Sequence, residues 1–130
     1  MPLILALCIT TMTDEELIEI GIDIEALLRN RSFESIAAKY GYALSFDLEP
    51  SEAIRKDFIS SESECVGCFE DAEVEIKVSH FSHNDTGLIS EISCDFKLKN
   101  QTGILVELIL GSKGNVYLEQ ISSYRLNFNA

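Results

Sequence analysis

Basic residues are scarce in this chain: ten Lys and Arg stand against 22 Asp and Glu among 130 residues, a formal net charge of -12. That shortage excludes the usual route to nucleic acid, whose affinity comes from Lys and Arg displacing counterions from phosphate, and it also repels anionic lipid. Long apolar runs are lacking too. Leu3 to Ile9 is apolar, yet it is far too short to cross a bilayer, and no Lys or Arg precedes it as in a secretory leader. A Gly-x-Ser-x-Gly elbow, a P-loop and a dinucleotide fingerprint are all missing, so hydrolase and nucleotide-binding chemistry lack their basic parts. The expectation is therefore a protein that is not an enzyme and takes no cofactor.

What is present suffices for one α+β domain over residues 1–130, because 46% apolar residues can fill a single core. Cys8, Cys65, Cys68 and Cys94 accompany that core without an export signal, which fits reduced thiols in a cytoplasm. Leu3 to Ile9 reads as an edge strand or, alternatively, as a leader before Met12, with the strand slightly preferred. At Thr13 the pattern changes, since Thr13-Asp14-Glu15-Glu16 is a capping box in which the hydroxyl serves the orphan amides of a first turn and Glu16 reaches back. Leu17, Ile20, Ile24, Leu27 and Leu28 then recur at helical spacing, ending near Arg29. Ser32 reads as the cap of a short helix through Tyr40 that turns Phe33 and Ile36 inward, with Gly41 as its left-handed stop. Tyr42, Leu44, Phe46 and Leu48 alternate as an extended strand would, and Pro50 opens a third helix to about Ile59, burying Ala53, Ile54 and Phe58.

Ser60 to Asp71 has no period and reads as a loop. Beyond it the period becomes two: Val74, Ile76 and Val78 point one way, Glu73, Glu75 and Lys77 the other. A turn over Ser82 to Gly87 returns the chain through Ile92, Cys94 and Phe96, backed by Glu91, Ser93, Asp95 and Lys97. Ile104 to Leu110 is apolar except at Glu107, as in a central strand, and Val116 to Phe128 supplies a last strand bent near Ser122 and Ser123. The predicted fold is N-terminal helices packed on a curved antiparallel sheet of about four strands. This order of elements is similar to the cystatin-like and NTF2-like cone architecture, which implies a pocket between sheet and helices in which Tyr40, Tyr42, His80 and Tyr117 are candidates by residue type.

Cys65-Val66-Gly67-Cys68 followed by His80 and His83 offers four zinc-type ligands, but two residues between the histidines is a short spacing, and loop thiols with turn histidines are the plainer reading. The neighbouring Glu62, Glu64, Glu70 and Asp71 would also raise a thiol pKa and slow a redox dithiol. The distribution of charge carries more information. Asp14, Glu15, Glu16, Glu19, Asp23 and Glu25 precede any base in the first helix, and Glu62, Glu64, Glu70, Asp71, Glu73 and Glu75 form a second base-free run. A small acidic chain of this kind, with no catalytic motif, resembles the immunity proteins made against bacterial nuclease toxins, including those of contact-dependent growth inhibition. The resemblance implies a basic toxin as partner, met by Glu62, Glu64, Glu70, Asp71, Glu73 and Glu75 with Phe69 as an apolar anchor. It implies neither nucleic acid nor membrane as a partner, while the edge or face of the sheet leaves room for a homodimer.

Overall fold

The computed structural model describes residues 12–82 and 85–127; the expected Leu3–Ile9 strand and His83 lie outside them. Three helices, α1 (Asp14–Arg29), α2 (Phe33–Tyr40) and α3 (Pro50–Ser63), precede four strands, β1 (Glu73–His80), β2 (Leu88–Lys97), β3 (Thr102–Gly111) and β4 (Val116–Arg125). The strands form an antiparallel meander in the order β1-β2-β3-β4 with the helices on one face, the α+β architecture expected from the sequence. Among the described residues, no helix is long and apolar enough to cross a membrane.

The capping box forms as read: the Glu16 amide donates to Thr13 Oγ1 at 3.1 Å, and the Thr13 amide donates to Glu16 Oε1 at 2.9 Å. Leu17, Gly21, Ile24 and Leu28 make the buried stripe of α1. Gly21 is required there, because a Cβ would stand 2.6 Å from Ile76 Cγ2 on β1, so the helix backbone rests directly on the sheet. At the other end, Arg29 donates to the carbonyls of Phe69, Glu70 and Ala72 and pairs with Glu25 at 2.9 Å. Its guanidinium also lies 5.7 Å from the Phe69 ring and 5.6 Å from that of Phe96.

Four expectations need correction. Ser32 precedes α2 but makes no side-chain cap bond, although Gly41 stops the helix at a φ of +67° as expected. Tyr42 to Leu48 is no strand but two successive turns, closed by Ser45 N to Tyr42 O and Leu48 N to Ser45 O, with only Tyr42 buried. The alternating apolar residues imitate a strand, but after the single bond from Ala43 N to Leu118 O the two turns carry the backbone away from the edge of β4. Helix α3 runs on to Ser63, past Ile59, because Ser61 is buried and Glu62 meets Arg31 across the helix packing. The remainder of the supposed loop is also structured, with a 3-10 turn at Phe69–Asp71 and a bridge between Val66 and Lys99.

The aromatic rings of Phe33, Phe58, Phe69 and Phe96 form a continuous row between helices and sheet, with neighbouring centroids 4.7 to 5.7 Å apart. Phe69 is 1% exposed, so it fills the core and cannot serve as an interface anchor. Strand β4 ends at Arg125, and its irregularity falls earlier than Ser122: the partner of Glu107 is Gln120 while that of Leu108 is Leu118, which leaves Glu119 as an extra residue. Truncation of Phe69 to Ala should cost about 3–5 kcal/mol in urea unfolding. The exposed Phe46→Ala control should change stability by only about 0.5 kcal/mol.

Candidate functional site

The face of the sheet turned away from the helices gathers a close cluster of carboxylates. Strand alternation puts Ile92, Val106, Leu108 and Leu118 into the core and therefore sends Glu91, Glu107 and Glu119 to the opposite face. The extra residue in β4 completes the trio. Carboxylate oxygens of the three glutamates all lie within 4.8 Å of one another. Leu105 and Ile109 flank Glu107 on the same face of β3 and limit its access to water. Burial, then the charge and hydrogen bond of Glu91, then Glu119, push the Glu107 carboxyl from its ordinary 4.5 up to about 7.

The rest of this face is partly organised by pairs. Tyr124 crosses Gly103 to donate to Asp95 Oδ1 at 2.6 Å, and a Cβ on Gly103 would sit 2.3 Å from the phenol ring. Glu75 pairs with Lys97 at 2.9 Å and with Lys77 at 3.8 Å, which holds its carboxyl below the ordinary range. Glu73 shares this outward face. At the margin, the Ala43 amide donates to Leu118 O at 2.9 Å, fastening the α2–α3 loop to β4 one residue from Glu119. That loop displays Leu44, Leu48 and Phe46, the last 85% exposed on a backbone with a φ of +50°. A left-handed conformation costs a non-glycine residue about 1–2 kcal/mol, so a bulky ring is held outward against a local penalty.

The structure divides the residues singled out from sequence. Glu62 makes a two-pronged contact with Arg31, whose guanidinium also lies 3.6 Å from Glu70, so much of the supposed loop charge is locally balanced. Glu64 accepts from Ser123 Oγ. Asp71 and Glu73 are exposed where the chain enters β1, and Phe69 is in the core. Glu73 and Glu75 thus join the outward face, while Glu62, Glu64 and Glu70 do not. The trio of Glu91, Glu107 and Glu119 was missed, since nothing but strand register brings it together; Glu107 alone stood out, as the polar exception in an apolar strand.

The other candidates disperse. Cys65 donates to Gly103 O near the start of β3, whereas His80 lies at the far end of β1 between Ser90 Oγ at 2.7 Å and Asp14 Oδ1 at 2.8 Å, so the zinc-type set is not assembled. Cys65, Cys68 and Cys94 are free thiols, and burial pushes Cys94 up to about 12. Tyr40 donates to Asp23 and Tyr42 to Asp57, His80 is exposed, and Tyr117 lies on β4, so these four share no cavity. The space between helices and sheet is filled by the phenylalanine row, and the cleft of about 480 Å³ lined by Arg31, Ser32, Phe33, Glu34, Ser51 and Arg55 opens to solvent.

Geometry and charge together define an α+β protein with an acidic outer sheet face bordered by an exposed aromatic loop. Comparison with known protein families, curated proteins and solved structures gives no match.

The raised Glu107 has a defined consequence for stability. The folded state holds this proton more tightly than the unfolded chain, so the group's stabilising contribution is full below pH 4.5 and disappears as pH rises through about 7. Glu107→Gln should therefore raise the melting temperature above pH 7 and leave it nearly unchanged below 4.5. Parallel melting curves for variant and wild type would contradict the assignment.

Proposed function

We propose that this chain is an immunity-type inhibitor acting in the cytoplasm, which neutralises a basic bacterial toxin, a nuclease, by covering its cationic active-site groove. The reading is supported above all by the like-charged trio Glu91, Glu107 and Glu119, with the exposed Phe46 carried on a loop that bonds to β4 next to Glu119. Three carboxylates gathered in one place repel each other in the free protein, and the cationic side chains of a phosphate-binding groove would relieve that repulsion on docking. The aromatic ring supplies what charge alone does not, a compact apolar anchor at the margin of the patch. A nuclease presents Lys and Arg to hold phosphates, which makes it the natural complement of such a surface. In this role the acidic face does binding, and no catalysis is required of it.

The test is co-expression with a basic nuclease toxin domain, taken from the neighbouring gene where that gene encodes one. The wild-type chain should restore growth, and the purified pair should associate with a rate that falls steeply with salt. Replacing Glu91, Glu107 and Glu119 together by Gln should slow association at least about tenfold at low salt, with Phe46→Ala chiefly speeding dissociation. Neutralising Glu62, Glu64, Glu70 and Asp71 should have a smaller effect, given the prior engagement of Arg31. Failure of the wild-type chain to protect cells or bind the toxin would overturn the proposal.

A further inference from the structure

Strand β1 is an edge: among the described residues it pairs with β2 alone. The orientation of its free groups follows from two bonds. Phe81 N donates to Ile89 O across the ladder, so odd-numbered residues of this segment face β2, and even-numbered ones turn their N–H and C=O groups to the open side. Arg29 reaching Ala72 O from that open side agrees. Val74, Ile76 and Val78 therefore present a row of backbone donors and acceptors to whatever approaches.

Helix α1 runs antiparallel to β1 over this edge. Asp14 meets His80 at one end, Arg29 meets Ala72 at the other, and Gly21 rests on Ile76 between them. One flank of α1 faces α2 through the Asp23–Lys39 pair. The opposite flank, which carries Asp14, Glu25 and Arg29, faces the open edge, and on it Ile18 and Ile22 remain 39% and 52% exposed. Two branched apolar side chains one turn apart thus stand over an edge of β1 that, among the described residues, is open.

We propose that β1 pairs with β1 of a second copy of this chain, in antiparallel register about a two-fold axis at Ile76, to give one continuous eight-stranded sheet. The charge pattern selects this register. Centred on Ile76, Glu75 lies opposite Lys77 of the second copy and Lys77 opposite its Glu75, two attractive cross-strand pairs. Centring on Lys77 or on Glu75 brings like charges face to face. Lys on an edge ordinarily discourages pairing, and here its spacing from Glu75 makes it favour this one arrangement. Val74 meets Val78 and Ile76 meets Ile76 on the helix side.

The helices fit the same axis. Strands in a sheet lie about 4.8 Å apart, and α1 packs across both β1 and β2, so the two copies of α1 come to lie about 10 Å apart, within the usual range for packed helices. Because Gly21 sits on Ile76, Ile22 falls beside the axis and meets Ile22 of the second copy, flanked by Ile18. The inference does not rest on the toxin reading, although the axis would place both acidic faces on one side of the dimer.

Sedimentation velocity on the intact chain tests it. A concentration-dependent dimer is expected, with the Val74, Ile76 and Val78 amides gaining hydrogen-exchange protection as it forms. Glu75→Lys and Lys77→Glu should each weaken the dimer about tenfold, since each turns two attractive pairs into repulsive ones. The double charge swap should restore it, a rescue that loss of folding could not produce. Ile22→Asp, at an exposed helix position that leaves the fold intact by circular dichroism, should give monomer. A wild-type chain that stays monomeric at about 100 μM, far above the dissociation constants usual for specific interfaces, overturns the proposal. So does a dimer indifferent to Ile22→Asp and to both charge reversals.

Discussion

Arg29 is the interaction on which the rest of the structure depends. One guanidinium covers the Phe69 and Phe96 rings and binds the three carbonyls that lead the chain from the 3-10 turn into β1. It thereby joins the end of α1, the core and the first strand in a single contact, and the Glu25 pair fixes its orientation. A half-buried cation held in this way also explains why the acidic segment preceding β1 is ordered. Its carbonyls have partners, and its phenylalanine has a place in the core. With α1 anchored at Arg29 and its start held by the Thr13 capping box, Gly21 has no freedom but to lie on Ile76. The direction of the helix over the sheet edge follows from those fixed points.

The two faces of the sheet embody opposite physical solutions. Toward the helices, β-branched and aromatic side chains fill the interior, and among the described residues no buried side-chain polar atom lacks a partner. Away from them, carboxylates are held close together, some met by Lys77 and Lys97 and some not. Like charges so arranged reduce folding stability, and such a cost is commonly retained where a surface meets a partner. The strained Phe46 at the margin is a second instance of the same trade.

Much of this fold was legible in the sequence because its determinants are local. Thr13 and Glu16 announce a helix start, Gly41 a stop, and the alternation of Val74, Ile76 and Val78 with Glu73, Glu75 and Lys77 a half-buried strand. Misreadings arose where local pattern and tertiary context disagree. Tyr42 to Leu48 alternates like a strand but is bent into turns, and Ser60 to Ser63 lacks helical periodicity yet continues α3 because Arg31 waits for Glu62. Phe69, surrounded in sequence by acids and cysteines, looked like a surface anchor until Arg29 and two other rings were seen to enclose it. The carboxylate trio was invisible for a different reason. Its members come from three strands, and only the register, with the irregularity at Glu119, makes them neighbours.

That irregularity makes the length of β4 itself informative. In a ribbon whose side chains alternate strictly, one supernumerary residue reverses the phase of everything after it. Ile121 points inward, and Tyr124 lies over Gly103, because Glu119 is inserted without a partner on β3. Were Glu119 instead drawn into the ladder as an ordinary paired residue, the six residues after it in β4 would turn inside out, exposing Ile121 and driving Tyr124 toward a core with no room for it.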